Sequence, residues 1–236
     1  GLERKLGALC RRTAMDIASG KKKSARITAD NLAKYLGVPR YTHSELLDKD
    51  EIGVATGMAW TAAGGELLPI EVSILPGKGN LLLTGQLGDV MKESAQMSLS
   101  YIRSIWDKLG LEKDFYEKID VHIHAPEGAV PKDGPSAGVT LVTAMVSALT
   151  KRAVRRDIAM TGEMTLRGKV LPIGGLKEKS LAAYRAGSRE IIIPIDNKKD
   201  MEEIPAEIRE EMTIHLADNI TEVLDWALVV EGSEQK

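Results

Sequence analysis

The stretch 131-PKDGPSAG-138, followed by 139-VTLVTAMVSAL-149, is the part of the sequence that decides the fold. Almost every position after Gly138 is apolar or small, which predicts a helix buried on all sides rather than an amphipathic surface helix. Gly134 permits a tight turn, and Pro135 has the fixed φ suited to the first helical position. Ser136 is therefore expected in the first turn of this helix, among backbone N–H groups that lack partners within the helix.

A serine in that position has two interpretations. It can be a nucleophile, with the backbone N–H groups of Ser136 and Ala137 receiving the negative charge that develops on a substrate carbonyl oxygen. Serine is also common at helix starts as a cap, without any chemistry. The choice depends on whether a base lies near the hydroxyl, because a serine hydroxyl is a poor nucleophile until its proton is removed.

Outside this stretch the hydrophobic periodicity alternates between helical and strand-like segments. It predicts strands near 68–74, 81–84, 121–125, 158–160, 169–171, 191–193 and 214–216. It predicts helices near 2–17, 29–36, 91–109, 175–187 and 220–230, with turns at 63–65 and 161–163. This alternation predicts a layered α/β (α+β) domain with mixed sheets, preceded by a small helical segment.

The chain is expected to divide near residues 40–50. We expect a helical segment over 1–42, a connector over 43–52, the main domain over 53–230 and a frayed tail over 231–236. The sequence begins inside a helical pattern, so we expect it to be part of a longer protein.

Composition excludes several classes of protein. The 236 residues are 43% hydrophobic and 28% charged, and the formal net charge of −2 gives no general basicity for binding nucleic acid or an anionic membrane. The single cysteine, Cys10, excludes an internal disulfide and favours a reducing compartment, so we expect a cytoplasmic protein. No apolar run reaches transmembrane length, and no signal-peptide core is found, so no membrane partner is expected.

Lys179 is the most unusual candidate for the base. Projected at about 100° per residue, it lies on the small apolar face of the predicted helix with Leu176 and Ala183, whereas Lys177 lies nearly opposite. Burial of an ammonium group is costly, so a lysine there either extends its head to water or has a lowered pKa. A neutral amine would serve as a general base in a Ser-Lys pair.

Other interpretations stay open at this point. His122 and His124 share one face of a predicted strand, which suits a Ser-His-Asp hydrolase or a metal site, although no nucleophile elbow surrounds Ser136 and no third ligand is evident. A Gly/Ser loop that opens a helix beside Lys132 can also hold phosphate, as in a small-molecule kinase. A non-catalytic docking domain is a further alternative.

Four motifs resemble the proteolytic domain of the Lon family of ATP-dependent proteases, LonA type. They are PKDGPSAG at 131–138, TGE at 161–163, RGKVLPIGGLKEK at 167–179 and, more loosely, TGQLG at 84–88. The resemblance extends over roughly 53–228, and residues 1 to about 40 look like the end of the helical lid of an AAA+ ATPase module. The resemblance implies a layered Lon-type fold and a catalytic dyad of Ser136 and Lys179.

The resemblance also implies a homohexameric serine endopeptidase that receives unfolded or damaged polypeptides from an ATP-driven unfoldase. ATP and Mg²⁺ would act in the full-length protein, and no cofactor or metal is expected in this chain. Around the dyad, Thr161 is expected to accept a hydrogen bond from the Lys179 amine and to orient it. Glu163, Asp133 and Glu71 are carboxylates that would raise the pKa of Lys179 if one paired with it at rest, and for Glu71 and Asp133 a solvated or structural role is an equal alternative. Trp60 is expected in the core or in the wall of a groove.

Overall fold

A computed structural model describes residues 2–37, 46–61, 64–126 and 132–230, and the chain divides into two compact units, Gly1–His43 and Ser44–Lys236. The first unit contains α1 (Leu2–Ala18), a 3₁₀ helix (Ala29–Asn31) and α2 (Leu32–Leu36). Gly37 ends α2 with φ +84°, as its position in the sequence predicts. Parts of the predicted connector, the predicted 231–236 tail and Ala63 of the predicted 63–65 turn lie outside the described residues.

A mixed seven-stranded sheet organises the second unit. Its strands are β1 (Val54–Thr61), β2 (Gly64–Pro76), β3 (Leu81–Thr84), β4 (Ile119–His124), β5 (Ile158–Met160), β8 (Glu190–Pro194) and β9 (Thr213–Ala217), with β6 (Glu163–Met164) and β7 (Val170–Leu171) forming a separate pair. The order is β3-β4-β2-β1-β5-β8-β9. The pairs β1/β2 and β2/β4 are antiparallel, and the remaining neighbours in this sheet are parallel. The predicted α/β (α+β) class with mixed sheets is confirmed.

Helices cover both faces of this sheet. They are α3 (Asp89–Ser104), α4 (Phe115–Lys118), α5 (Gly138–Thr150), α6 (Leu176–Ala186), α7 (Ala206–Glu211) and α8 (Ile220–Ala227). In β8, Ile192 packs in one core cluster with residues of α3, α5 and α8, whereas Ile191 and Ile193 pack in a second cluster with Leu176 of α6. Successive side chains of a strand point to opposite faces, so the apolar run at 191–193 is buried on both sides of the sheet.

α6 approaches the sheet closely because a glycine lies under it. A Cβ atom on Gly65 of β2 would lie 1.9 Å from the Glu178 carbonyl oxygen. A side chain at this position would therefore push the helix backbone away from the strand. Gly65 sets the depth at which α6 sits on the sheet, and with it the depth of the lysine that follows Glu178.

The structure corrects several predicted boundaries. The helix predicted over 91–109 ends at Ser104, and turns follow to Gly110 that allow the adjacent Ile105 and Trp106 both to pack against the core. The helix predicted over 220–230 ends at Ala227, because the backbone of Val229 instead donates to the Ala153 carbonyl at 2.9 Å.

Other elements were not predicted or were placed differently. Glu163 lies in a short strand instead of a turn, and Gly64 and Gly65 belong to β2. The sequence pattern did not indicate β1, α4, α7 or the 3₁₀ helix Ile195–Glu203. The last two are rich in charged residues and lack a clear apolar stripe.

Candidate active site

Ser136 lies in a 3₁₀ turn, Pro135–Ala137, that leads directly into α5. Gly134 has φ +129°, a conformation that favours glycine, and Pro135 occupies the first helical position as predicted. The first turn is 3₁₀ rather than α-helical because the Gly138 N–H donates to the Pro135 carbonyl, three residues back. The Ser136 side chain is half-buried, whereas α5 behind it is buried almost throughout, as predicted.

The backbone that follows β5 holds this turn in place. The Ser136 carbonyl accepts hydrogen bonds from the Gly162 N–H at 2.9 Å and from the Thr161 hydroxyl at 3.3 Å. The Val139 N–H donates to the Gly162 carbonyl at 3.1 Å. The start of α5 is thereby fixed to the carboxyl end of a central parallel strand, a common location for sites in α/β proteins.

Lys179 reaches the same place from α6. Its side chain is 3% exposed, its neighbours Leu176 and Ala183 on the helix are buried, and Lys177 is exposed, as the helical projection predicts. Burial lowers the pKa of Lys179 from 10.5 to about 8. Within the part of the chain that the structure describes, no carboxylate forms an ion pair with this amine.

Thr161 connects the lysine to the serine turn. The Lys179 amine donates to the Thr161 hydroxyl at 3.0 Å, the hydrogen bond that the sequence led us to expect. Because the single Thr161 proton is directed to the Ser136 carbonyl, the hydroxyl oxygen accepts from Lys179. Among the described residues, the Ser136 hydroxyl itself has no hydrogen-bond partner.

Ser136 and Lys179 line one cavity of about 480 Å³. Its walls come from four segments of the chain, at 57–61, 66–69, 132–137 and 172–175, together with single residues from other elements. Trp60 is 59% exposed at this cavity and packs beside Gly175, so it belongs to the wall of a groove and not to the core. Glu163 also lines the cavity and is half-buried.

The other two predicted carboxylates lie elsewhere. Asp133 lines the cavity, but its side chain accepts hydrogen bonds from the Met91 N–H at 3.1 Å and the Gly134 N–H at 2.9 Å, so it caps the start of α3 and supports the glycine turn. Glu71 is exposed on β2, opposite His124 of β4, and is not part of the cavity lining. The structure therefore does not bring Glu71 to Lys179.

The two histidines share one face of β4, as predicted, but neither lines the cavity with Ser136. The Thr84 hydroxyl lies 3.0 Å from His122 Nε2 and 2.8 Å from His124 Nδ1. No group of three or more metal-ligating side chains is found in the described ranges. Each histidine ring therefore has the Thr84 hydroxyl of the neighbouring strand β3 within hydrogen-bond distance.

Sequence reasoning missed the wall of the cavity at 172–175 and the side chain that holds it. Asn197, 1% exposed, makes hydrogen bonds to both backbone polar groups of Ile173. The only available signal was an asparagine in a charged segment without periodicity, which does not distinguish a buried amide from a surface one. Among the described helices, none is long and apolar enough to cross a membrane.

A half-buried serine at a helix start and a desolvated lysine line one cavity, and these are the two residue types that a Ser-Lys variant of the serine triad requires. Residues 26–230 match the family model described as the Lon protease (S16) C-terminal proteolytic domain. The chain belongs to this family. Membership in a family of proteolytic domains argues against the interpretations of the chain as a kinase or as a non-catalytic docking domain.

Curated relatives agree with this assignment. The chain is 56% identical to Lon protease 1 of Bacillus subtilis (strain 168) over 230 residues, which is 98% of this chain and 30% of that protein. It is 55% identical to Lon protease of Desulforamulus reducens over 97% of the chain and 28% of the relative, and 52% identical to that of Halothermothrix orenii over 100% and 30%. The chain spans about 30% of the length of the curated relatives it matches.

Proposed function

We propose that this chain is a serine endopeptidase domain in which Ser136 is the nucleophile and Lys179 is the general base. One observation carries the proposal: the Lys179 amine is buried beside the Ser136 turn, has no carboxylate partner in the described ranges, and has a pKa of about 8. At pH 7 about a tenth of such amines are neutral, enough for a base that is regenerated in each turnover. Family membership supports the same reaction.

The reaction follows from these two side chains. The neutral Lys179 amine takes the Ser136 proton while the hydroxyl oxygen attacks the peptide carbonyl carbon, and the resulting ammonium then gives its proton to the leaving amine. Water hydrolyses the acyl-enzyme with Lys179 again as the base. Proton transfer needs a direct Ser136–Lys179 hydrogen bond, and such bonds often tighten only when substrate binds.

The remaining residues have supporting roles in this proposal. The backbone N–H groups of Ser136 and Ala137 hold the oxyanion at the helix start. Thr161 orients the amine, because it accepts from Lys179 while it donates to the Ser136 carbonyl. Glu163, which lines the same cavity, would raise the pKa of Lys179 if it paired with the amine, whereas Asp133 supports the glycine turn. No catalytic role is proposed for Glu71.

For the whole protein we propose an ATP-dependent protease of the cytoplasm. Residues 1–42 would be the end of an AAA+ helical lid, and ATP with Mg²⁺ would act on the rest of that module. The working form would be a homohexamer that receives unfolded or damaged polypeptides. The similarity to longer proteins named Lon protease supports this proposal, as does the single cysteine, which suits a reducing compartment.

Covalent trapping tests the nucleophile. A peptide boronate should form an adduct at Ser136, and Ser136→Ala should lose both the adduct and hydrolysis of a fluorogenic peptide while it retains the wild-type circular dichroism spectrum. Ser100→Ala, an exposed serine on α3, is the matched control and should keep full activity. An adduct on another serine, or normal turnover by folded Ser136→Ala, would reject the proposal.

A further inference from the structure

Asn197 is a buried amide that the reaction described above does not use. It lies in the 3₁₀ helix Ile195–Glu203, directly after β8, and is 1% exposed. Its side chain makes three hydrogen bonds, of which two go to the backbone of Ile173, 24 residues earlier in the chain. Replacement of this amide is expected to be costly, because three partly buried hydrogen bonds would be lost together.

The geometry of these bonds resembles one rung of a β-ladder. The Ile173 N–H donates to Asn197 Oδ1 at 2.9 Å, and Asn197 Nδ2 donates to the Ile173 carbonyl at 2.9 Å. Nδ2 also donates to Asp200 Oδ2 at 2.6 Å. A carboxylate oxygen can only accept, so Asp200 fixes which end of the amide faces each Ile173 group.

The segment that Asn197 holds is a wall of the cavity. Pro172, Ile173, Gly174 and Gly175 all line the cavity that contains Ser136 and Lys179. Pro172 and Gly174 are exposed, and two successive glycines give this backbone many accessible conformations. The two hydrogen bonds from Asn197 to Ile173 attach the segment between β7 and α6 to the 3₁₀ helix Ile195–Glu203. Without them this segment would be held less firmly.

We infer that Asn197 is a positioning residue that holds the 172–175 wall in the conformation that receives the peptide substrate. This inference rests on the proposed protease function. Among the described residues, no hydrogen bond joins Asn197 to Lys179, whose position depends on α6, on Gly65 beneath that helix and on the hydrogen bond to Thr161. Loss of Asn197 should therefore weaken peptide binding without changing the base.

The first test compares two asparagines whose side chains both bond to backbone groups. Asn197→Ala should raise KM for a fluorogenic peptide about tenfold, leave kcat within about threefold, and keep the midpoint of the acid limb of the pH profile. Asn219→Ala, which removes the cap of α8, should lower Tm without changing KM. A folded Asn197→Ala protein with wild-type KM would overturn the inference, as would an equal rise of KM in both variants.

A more conservative variant keeps the test decisive if Asn197→Ala does not fold. Asn197→Asp retains the acceptor for the Ile173 N–H but loses the donor to the Ile173 carbonyl and to Asp200, so its KM should rise several-fold above that of wild type. Adding Asp200→Asn should recover part of the loss, because an amide can donate to the new carboxylate. No change of KM in Asn197→Asp, or no recovery in the double variant, would contradict the inference.

Binding measured without turnover separates this inference from the proposed reaction. In the Ser136→Ala background, Asn197→Ala should weaken the affinity for the intact peptide about tenfold, measured by fluorescence anisotropy. Hydrogen exchange at the Ile173 amide should become faster in the same protein. If wild type binds the peptide but does not cleave it, the protease proposal fails, and the affinity of Asn197→Ala alone then decides whether Asn197 holds a peptide-binding wall. If Asn197→Ala binds normally, the inference fails.

Discussion

The two ends of β5 carry charged groups in opposite electrostatic situations. At the carboxyl end, Lys179 is buried with a neutral hydroxyl, that of Thr161, as its partner. At the amino end, Arg155 and Glu190 form an ion pair with nitrogen–oxygen distances of 2.5 and 3.1 Å. Among the described residues, Lys179 therefore has no charged partner, whereas Arg155 and Glu190 neutralise each other. Both sites nevertheless lie at the ends of the same short strand.

The cluster at the amino end satisfies every charge. The Arg155 guanidinium also donates to Asp157 at 2.8 Å, and the Glu190 carboxylate accepts from His215 Nε2 at 2.9 Å. The His215 ring stacks on Trp226 with centroids 4.8 Å apart. The hydrogen bonds from Arg155 lower the pKa of Glu190 to about 2, and the same contacts raise the pKa of Arg155. Both groups therefore stay charged at all physiological pH values.

The comparison shows what lowers the pKa of a buried lysine. A charged partner stabilises the charged form, as at Glu190, whereas burial with a neutral partner moves the pKa of Lys179 down to about 8. A carboxylate at the position of Thr161 would restore the ammonium and remove the base. The absence of a counter-charge is the condition on which the proposed mechanism depends.

Removal of the Lys179 amine is expected to have the largest effect. Lys179→Gln should reduce kcat by about 10³-fold, because it removes the base for both steps. Wild-type kcat/KM should rise with pH through about 8 as the amine becomes neutral. Stopped assays with one fluorogenic peptide from pH 6 to 10 measure both quantities.

Variants elsewhere provide the controls for that assay. Lys177→Gln, on the exposed side of α6, should keep activity within about twofold. His122→Gln and His124→Gln should also keep their turnover, since both rings bond to Thr84 outside the cavity. An inactive histidine variant together with an active Lys179→Gln protein would replace the Ser-Lys mechanism with a histidine base.

The buried Lys179 should also lower the free energy of unfolding of the protein at pH 7. The folded protein holds the Lys179 pKa at about 8 and the unfolded chain near 10.5, so between these values the unfolded chain binds more protons and the free energy of unfolding rises with pH. Below pH 8 the full penalty is present, about 3 kcal/mol for a shift of this size. Lys179→Met should therefore raise the free energy of unfolding at pH 7 by about 2 kcal/mol, after loss of the Thr161 hydrogen bond.

Urea denaturation at pH 7 and pH 10 measures this effect. The difference between wild type and Lys179→Met should shrink at the higher pH, where the wild-type amine is neutral in the folded state. Equal stability of the two proteins at pH 7 would show that the amine is not desolvated in the folded protein.

The parts of the site that the sequence predicted depend on local geometry. Lys179 could be placed on the buried face because helical periodicity relates it to Leu176 and Ala183 over a few residues. The turn at Ser136 could be placed because Gly134 and Pro135 restrict the backbone directly before it. Such signals are contained in adjacent residues and need no knowledge of the packing.

The rest of the site depends on contacts between distant segments. Asp133 caps α3 through Met91, 42 residues away, and Asn197 bonds to Ile173 across 24 residues. The sequence marks both only as polar residues near turns, so Asp133 was considered both as a partner for Lys179 and as a structural residue, and Asn197 was not singled out. The end of α3 at Ser104 was missed for a similar reason, since packing of Ile105 and Trp106 on the core overrides the helical stripe.

The smallest expected effect concerns the paired cluster at the other end of β5. Glu190→Gln should lower the free energy of unfolding at pH 7 by about 1–2 kcal/mol and leave peptide hydrolysis unchanged, because Arg155 loses one of its two carboxylate partners and neither residue lines the cavity. The depressed pKa of Glu190, about 2 against 4.5, means that its contribution is complete above pH 4.5 and is lost as the pH falls towards 2. The stability difference between Glu190→Gln and wild type should therefore diminish from pH 5 to pH 2.5, with the exposed Glu117→Gln as the matched control. A constant difference across that range, or a loss of turnover in Glu190→Gln, would show that the two ends of β5 are not the separate electrostatic environments described here.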